Sequence, residues 1–289
     1  PLFQISRQIN ELQRATAGLQ RIEELHRIET SILDGQDDLS TQHPLSVTFD
    51  DVTFAYNPGE PVIKNVSFSL EPGRTLGILG RTGSGKTTMT RLLFRFYDIQ
   101  TGDIRLGNQS IREIKLDELR QHVGLVTQDV QLFNATVREN LTLFDHTVPD
   151  DRIVSTLEDL DLGSWFRNLP DGLDTEIATG NSSLSAGEAQ LLAFTRVFLK
   201  DPGLVILDEP SSRLDPATER KINHAVERLL ENRTGIIIAH RLDTVEKVDD
   251  ILILEAGEIQ EHGRRADLVQ DQESQFSILL RAALEAPIG

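Results

Sequence analysis

The segment Gly80-Arg81-Thr82-Gly83-Ser84-Gly85-Lys86-Thr87 constrains the fold of this chain more than any other stretch. It follows the apolar run Leu76–Leu79 and precedes a stretch with helical patterning from Thr88 to Phe96. In the order strand, glycine-rich loop, helix, backbone N–H groups can turn inward, because glycine has no side chain to obstruct them. Those amides and the helix N-terminus then form a cradle for phosphate oxygens. In such a cradle Lys86 reaches the outer phosphates and the Thr87 hydroxyl faces Mg²⁺. The competing reading is a glycine-rich turn with a surface lysine. Strand, spacing and helix together favour the cradle.

A second stretch fits the first. Leu204-Val205-Ile206-Leu207 is an apolar run that ends in Asp208-Glu209. Residues at the ends of strands in an open α/β sheet face the ligand crevice. Asp208 is expected to hold Mg²⁺ through water, and Glu209 to orient and polarise an attacking water. Taken alone, the pair reads equally well as a solvated strand end.

Other short apolar runs, Val123–Val126, Ile236–Ala239 and Ile251–Leu254, are separated by helical stretches. Runs this short and apolar on both faces predict buried parallel strands with helices between them. Upstream, Ser46 to Tyr56 alternates in two phases, with Val47 and Phe49 in one and Val52, Phe54 and Tyr56 in the next. The slip at Asp50-Asp51 predicts a bulge or tight bend. A turn at Asn57-Pro58-Gly59 and renewed alternation from Val62 to Leu70 complete a small antiparallel sheet. The stretch Val137 to Leu199 is expected to be largely helical. Residues 1–33 read as one amphipathic helix, with Ile5, Ile9, Leu12, Leu19, Ile22, Leu25, Ile28 and Ile32 mainly at three- and four-residue steps. Residues 34–45, with Gly35 and Pro44, read as a linker.

Composition narrows the partners. The chain holds 46 acidic and 29 basic residues, for a net charge of −17. A surface that negative repels phosphate backbones, which argues against nucleic acid as a partner. There is no cysteine, so disulfides and thiolate metal sites are excluded. No run approaches the roughly 18 apolar residues of a spanning helix. The chain starts at Pro1 rather than methionine and is expected to be a piece of a longer polypeptide.

With these residues in place, the sequence resembles the nucleotide-binding domain of an ABC transporter from Ser46 to about Arg265. The most specific mark is Leu184-Ser185-Ala186-Gly187-Glu188-Ala189-Gln190, which resembles the family signature L-S-G-G-Q-x-Q. Gln128 looks like the Q-loop glutamine, Ser212-Arg213-Leu214-Asp215 like the D-loop, His240 like the switch histidine and Tyr56 like the aromatic residue that stacks on adenine. The resemblance implies an α/β fold: a phosphate-loop ATPase core with a mainly parallel sheet, an N-terminal antiparallel β subdomain and an inserted α-helical subdomain at about 137–199.

It also implies a site. ATP is held by Tyr56 and by Gly80, Arg81, Thr82, Gly83, Ser84, Gly85, Lys86, Thr87 and Thr88. Mg²⁺ is held by Thr87, Gln128 and Asp208, and hydrolysis is carried by Glu209, His240 and Gln128. Ser185 and Gly187 are implied to cap the ATP of a second nucleotide-binding domain, in a homo- or heterodimer. Each has a plainer reading: Tyr56 as a core aromatic, His240 as a satisfied core histidine, Gln128 as a polar loop residue, and Ser185 with Glu188 as a helix cap.

Three departures from the family pattern stand out. Ala186 replaces a glycine, Glu188 replaces a glutamine, and the last four of Thr175-Glu176-Ile177-Ala178-Thr179-Gly180-Asn181 leave the exporter pattern T-E-x-G-E-R-G. The first two would weaken the half-site offered to the partner, a hint of an asymmetric heterodimer. Gln13-Arg14-Ala15, Arg21-Ile22 and Thr136 to Leu141 look exporter-like. They imply that 1–33 continues from a transmembrane domain of the same polypeptide, that 46–289 is the nucleotide-binding domain, and that it works at the cytoplasmic face of a membrane. The alternatives are an ABC ATPase without a membrane partner and a regulatory nucleotide-binding subunit without turnover.

Overall fold

The computed structural model describes residues 13, 16, 18–23, 32–40, 43–177, 184–208, 216–239 and 241–285. The chain divides into two compact units, Pro1–Leu33 and Asp34–Gly289. In the first, residues 13, 16 and 18–23 are helical; the rest of the helix expected over 1–33 lies outside the described residues.

In the second unit the strands are β1 (Val47–Ala55), β2 (Pro61–Leu70), β3 (Thr75–Leu79), β4 (Thr101–Leu106), β5 (Gln109–Ser110), β6 (Val123–Val126), β7 (Ala135–Thr136), β8 (Glu176–Ile177), β9 (Leu204–Asp208), β10 (Thr234–Ile238), β11 (Asp250–Glu255) and β12 (Glu258–Arg264). Among the described residues they form an antiparallel sheet in the order β2-β1-β4-β5, a mainly parallel sheet in the order β12-β11-β3-β10-β9-β6, and the short pair β7-β8. The antiparallel sheet and all five buried parallel strands stand where the sequence predicts them. Strands β4 and β5 and the pair β7-β8 were not anticipated, although Ile104 and Leu106 of β4 alternate with Asp103 and Arg105. The stretch expected to be helical holds helices Val137–Thr142, Asp150–Asp159, Gly163–Arg167 and Ala186–Lys200.

The parallel strands are apolar on both faces because both faces are covered. Leu76, Ile78, Leu204, Ile206, Ile236, Leu252 and Leu254 join Phe49, Phe54, Ile63, Met89 and Leu92 in one buried cluster beneath the antiparallel sheet. Their strand neighbours Leu79, Val205, Leu207, Ile237, Ile251 and Ile253 point the other way. They pack with Phe194, Val197, Ile222 and Leu229 from the flanking helices. This is the alternation of strand side chains at work on a sheet buried between two layers.

The two-phase alternation in β1 is resolved by a bulge at the expected place. Phe49 pairs with Phe68 and Val52 with Val66, and the register shifts between them. Asp51 takes a left-handed φ of 49°. The extra residue returns the second phase to the core face, so Val47, Phe49, Val52 and Phe54 are all buried. The described part of 34–45 has no regular secondary structure apart from a bridge between Asp37 and Ile114. It belongs to the second unit and joins that unit's core through Leu39 and Leu45, both buried. No helix of the described residues is long and apolar enough to cross a membrane.

Candidate nucleotide site

Strand order and register bring the expected residues to one edge of the parallel sheet. Ile78 pairs with Ile238, and Ile238 pairs with Asp208. Leu207 pairs with Val126 on the other side. The C-terminal ends of β3, β9 and β6 are therefore level. The phosphate loop leaves the first, Asp208 ends the second, and Gln128 follows the third by two residues. Glu209, Asp215 and His240 lie outside the described residues.

The loop has the backbone its glycines permit. Gly83 and Gly85 take φ of 82° and 111°, left-handed values that cost a residue with a Cβ about 1–2 kcal/mol. A Cβ at Gly80 would fall far inside contact distance of the Leu254 carbonyl, whereas the space above Gly83 is open. Helix Lys86–Leu93 starts directly after Gly85. The Lys86 Nζ donates to Gly80 O at 2.6 Å and Arg81 O at 3.1 Å, so the lysine folds back along its own loop. The Ser84 Oγ is buried with no hydrogen-bond partner. An orphaned buried hydroxyl, a buried lysine and open space over a glycine suit an anionic, oxygen-rich ligand. Thr87, an exposed residue, and Asp208, a half-buried one, carry hard oxygen donors of the kind Mg²⁺ takes.

Tyr56 leaves the end of β1 and lies over the start of the same helix. Its hydroxyl is 3.2 Å from Thr88 Oγ1 and accepts from Arg91 Nη1 at 3.2 Å. That hydrogen bond, first among the causes, holds the Arg91 guanidinium above its ordinary pKa. Phe54 and Tyr97 stand nearly perpendicular to the Tyr56 ring at 4.9 and 5.1 Å. The side chain remains partly open, with 39% of the residue exposed. Arg91 and Tyr97 belong to no sequence motif and were not anticipated. Their contact with Tyr56 joins residues 35 and more positions apart.

The signature segment sits at the N-terminus of helix Ala186–Lys200. Ser185 Oγ accepts from Glu188 N at 3.2 Å, and Ser185 N donates to Glu188 Oε2 at 2.8 Å. This is the reciprocal cap foreseen as the plainer reading. Replacing Ser185 with alanine should therefore cost about 1 kcal/mol of stability, read as a shift in the urea midpoint, before any partner is involved. Gly187 is buried, and a Cβ there would overlap Thr218 Cγ2. It lets this helix approach helix Pro216–Leu230. One turn further, Gln190 Nε2 donates to Thr127 O at 3.4 Å, beside Gln128. Arg196 Nε donates to Asn140 O at 2.7 Å, and its Nη1 to Gln131 O at 2.8 Å. The signature helix is thus tied to the segment that carries Gln128.

A family model described as ABC transporter matches residues 63–212, just over half of the chain. This chain belongs to the ABC transporter family. The chain is 39% identical over 271 residues to the ATP-dependent lipid A-core flippase of Vibrio cholerae, covering 93% of this chain and 46% of that protein. It is 40% identical over 238 residues to the mitochondrial iron-sulfur clusters transporter ATM1 of Kluyveromyces lactis, covering 82% of this chain and 33% of that protein. Among solved structures it resembles a bacterial Atm1-family ABC exporter with ATP bound. The TM-score is 0.85 at 31% identity, covering 96% of this chain and 48% of that one. The chain thus spans a third to a half of the length of these relatives. Its α/β architecture, with one mainly parallel and one antiparallel sheet, is that of the exporter's ATP-binding part.

Proposed function

We propose that this chain is the ATP-binding and ATP-hydrolysing motor of a membrane exporter, with residues 1–33 continuing from a transmembrane domain of the same polypeptide. In this reading 34–45 links that helix to the nucleotide-binding domain at 46–289, which works at the cytoplasmic face of the membrane. The observation that carries the reading is the convergence of the Gly80–Thr87 loop, Asp208 and Gln128 on one sheet edge, with Tyr56 over the adjoining helix.

The loop amides and Lys86 hold the triphosphate, and the Tyr56 ring meets the base. Thr87, Asp208 and Gln128 hold Mg²⁺, which when bound neutralises charge between the outer phosphates. Glu209 and His240 orient and support in-line attack by water. Ser185 and Gly187 present the start of their helix to ATP held by a second such domain, identical or not. Ala186 and Glu188 weaken that half-site, which favours an unlike partner. ATP does work by binding the closed pair better than the separated domains.

The test is sedimentation of the chain with and without MgATP. Glu209→Gln should retain ATP and sediment as a dimer with it, whereas the unaltered chain, which turns ATP over, should remain mainly monomeric. Normal turnover in Glu209→Gln would remove the role given to Glu209. Failure of the unaltered chain to bind ATP in the presence of magnesium would remove the whole reading.

A further inference from the structure

Tyr56 follows a strand end and is partly exposed, and a phenol ring in such a place turns about two side-chain torsions. Two neighbouring rings pack against it edge-to-face. Phe54 and Tyr97 meet it at interplanar angles of 85° and 87°, so neither ring stacks on it face to face. What restrains its far end is polar. Arg91 Nη1 donates to the Tyr56 hydroxyl, whose own proton is then available to Thr88 Oγ1. Thr88 is buried and Arg91 lies one helical turn beyond it, both on the helix that Lys86 opens. The ring is thereby tied to the same rigid element that presents the phosphate loop.

We propose that Arg91 is a positioning residue for the nucleobase platform: by donating to the Tyr56 hydroxyl it sets the orientation of the ring before ATP arrives. The proposal rests on the reading that Tyr56 meets the base. A platform already oriented loses less conformational freedom on binding, and the gain appears as affinity. The effect should be confined to ligands that carry a base, because the phosphate contacts belong to other residues.

The experiment measures dissociation constants by calorimetry on the full chain, for MgATP and for magnesium tripolyphosphate, which has the phosphates and no base. Tyr56→Ala should weaken MgATP by about tenfold, the range of one base stacked on one aromatic ring. Arg91→Ala and Arg91→Gln should weaken it by about three- to fivefold, a part of that stacking term. Tyr56→Phe, which keeps the ring and removes the acceptor, should match the Arg91 variants. Combining Tyr56→Phe with Arg91→Ala should add nothing further. Tripolyphosphate should bind all of them alike.

Unchanged MgATP affinity in both Arg91 variants, while Tyr56→Ala loses it, would overturn the proposal and leave the role of Tyr56 standing. Equal weakening of tripolyphosphate would also overturn it, since Arg91 would then act as a general cation. So would a loss fully additive with that of Tyr56→Phe. An unaffected Tyr56→Ala would remove the platform itself and the proposal with it.

Discussion

Replacing Lys86 with alanine should lower ATP hydrolysis by at least about 100-fold, the scale of losing one preorganised charge-stabilising donor. Lys86 is 5% exposed, and its ammonium is placed by two carbonyls of the loop it serves, Gly80 O and Arg81 O. In so dry a setting a positive charge acts on phosphate oxygens through a low effective dielectric, and bulk ions screen it little. The apolar clusters on either side of the sheet do not include Lys86. The variant should therefore keep its secondary structure by circular dichroism while losing turnover. Lys86→Arg should fail nearly as badly, because a planar guanidinium is not a substitute for a compact ammonium between two carbonyls. Turnover within a few-fold of the unaltered chain in either variant would remove Lys86 from the site.

Replacing Gly102 with alanine should destabilise the second unit by about 2–4 kcal/mol, combining an overpacking cost with backbone strain. Gly102 lies in β4 opposite the bulge of β1, where the pairing passes from Asp50–Asp103 to Thr53–Thr101. Its φ is 85°, and a Cβ there would be driven into the carbonyls of Asp50 and Asp51. Backbone oxygens in a paired strand cannot swing aside as a side-chain tip can. Gly59→Ala is the internal control. Gly59 also has a left-handed φ, 88°, but a Cβ there meets nothing, so it should cost only about 1–2 kcal/mol. Denaturant midpoints of the two variants measure the difference, and equal midpoints would show that the bulge does not depend on Gly102. Because Tyr56 follows directly on the last residue of β1, Ala55, a slipped register in Gly102→Ala should also weaken MgATP binding.

The phosphate loop was legible because its chemistry is local: glycine spacing permits the turn and the adjoining helix supplies the amides. The same holds for the cap at Ser185 and Glu188, whose partners are three residues apart. The bulge was legible as a change of phase, since two sets of apolar residues must reach one core. By contrast, nothing local distinguishes Arg91 from other arginines on exposed helix faces. Its partner stands 35 positions earlier, across a turn, two strands and the phosphate loop. Gly187 was read only as a ligand contact, and its packing on Thr218 depends on how two helices meet. The pair β7-β8 escaped because two-residue strands show no period.

By itself, then, the order of residues determined where strands, loop and helices occur and which short motif is the candidate phosphate cradle, because backbone dihedrals and burial on one or two faces leave periodic, short-range marks. Tertiary structure alone decided that β10 lies between β3 and β9, so that Asp208 and the phosphate loop share an edge, and that Arg91 and Tyr97 surround Tyr56. Those choices depend on which distant segments pair and pack, and the free energy that selects them is spread over the whole core rather than written at any one position.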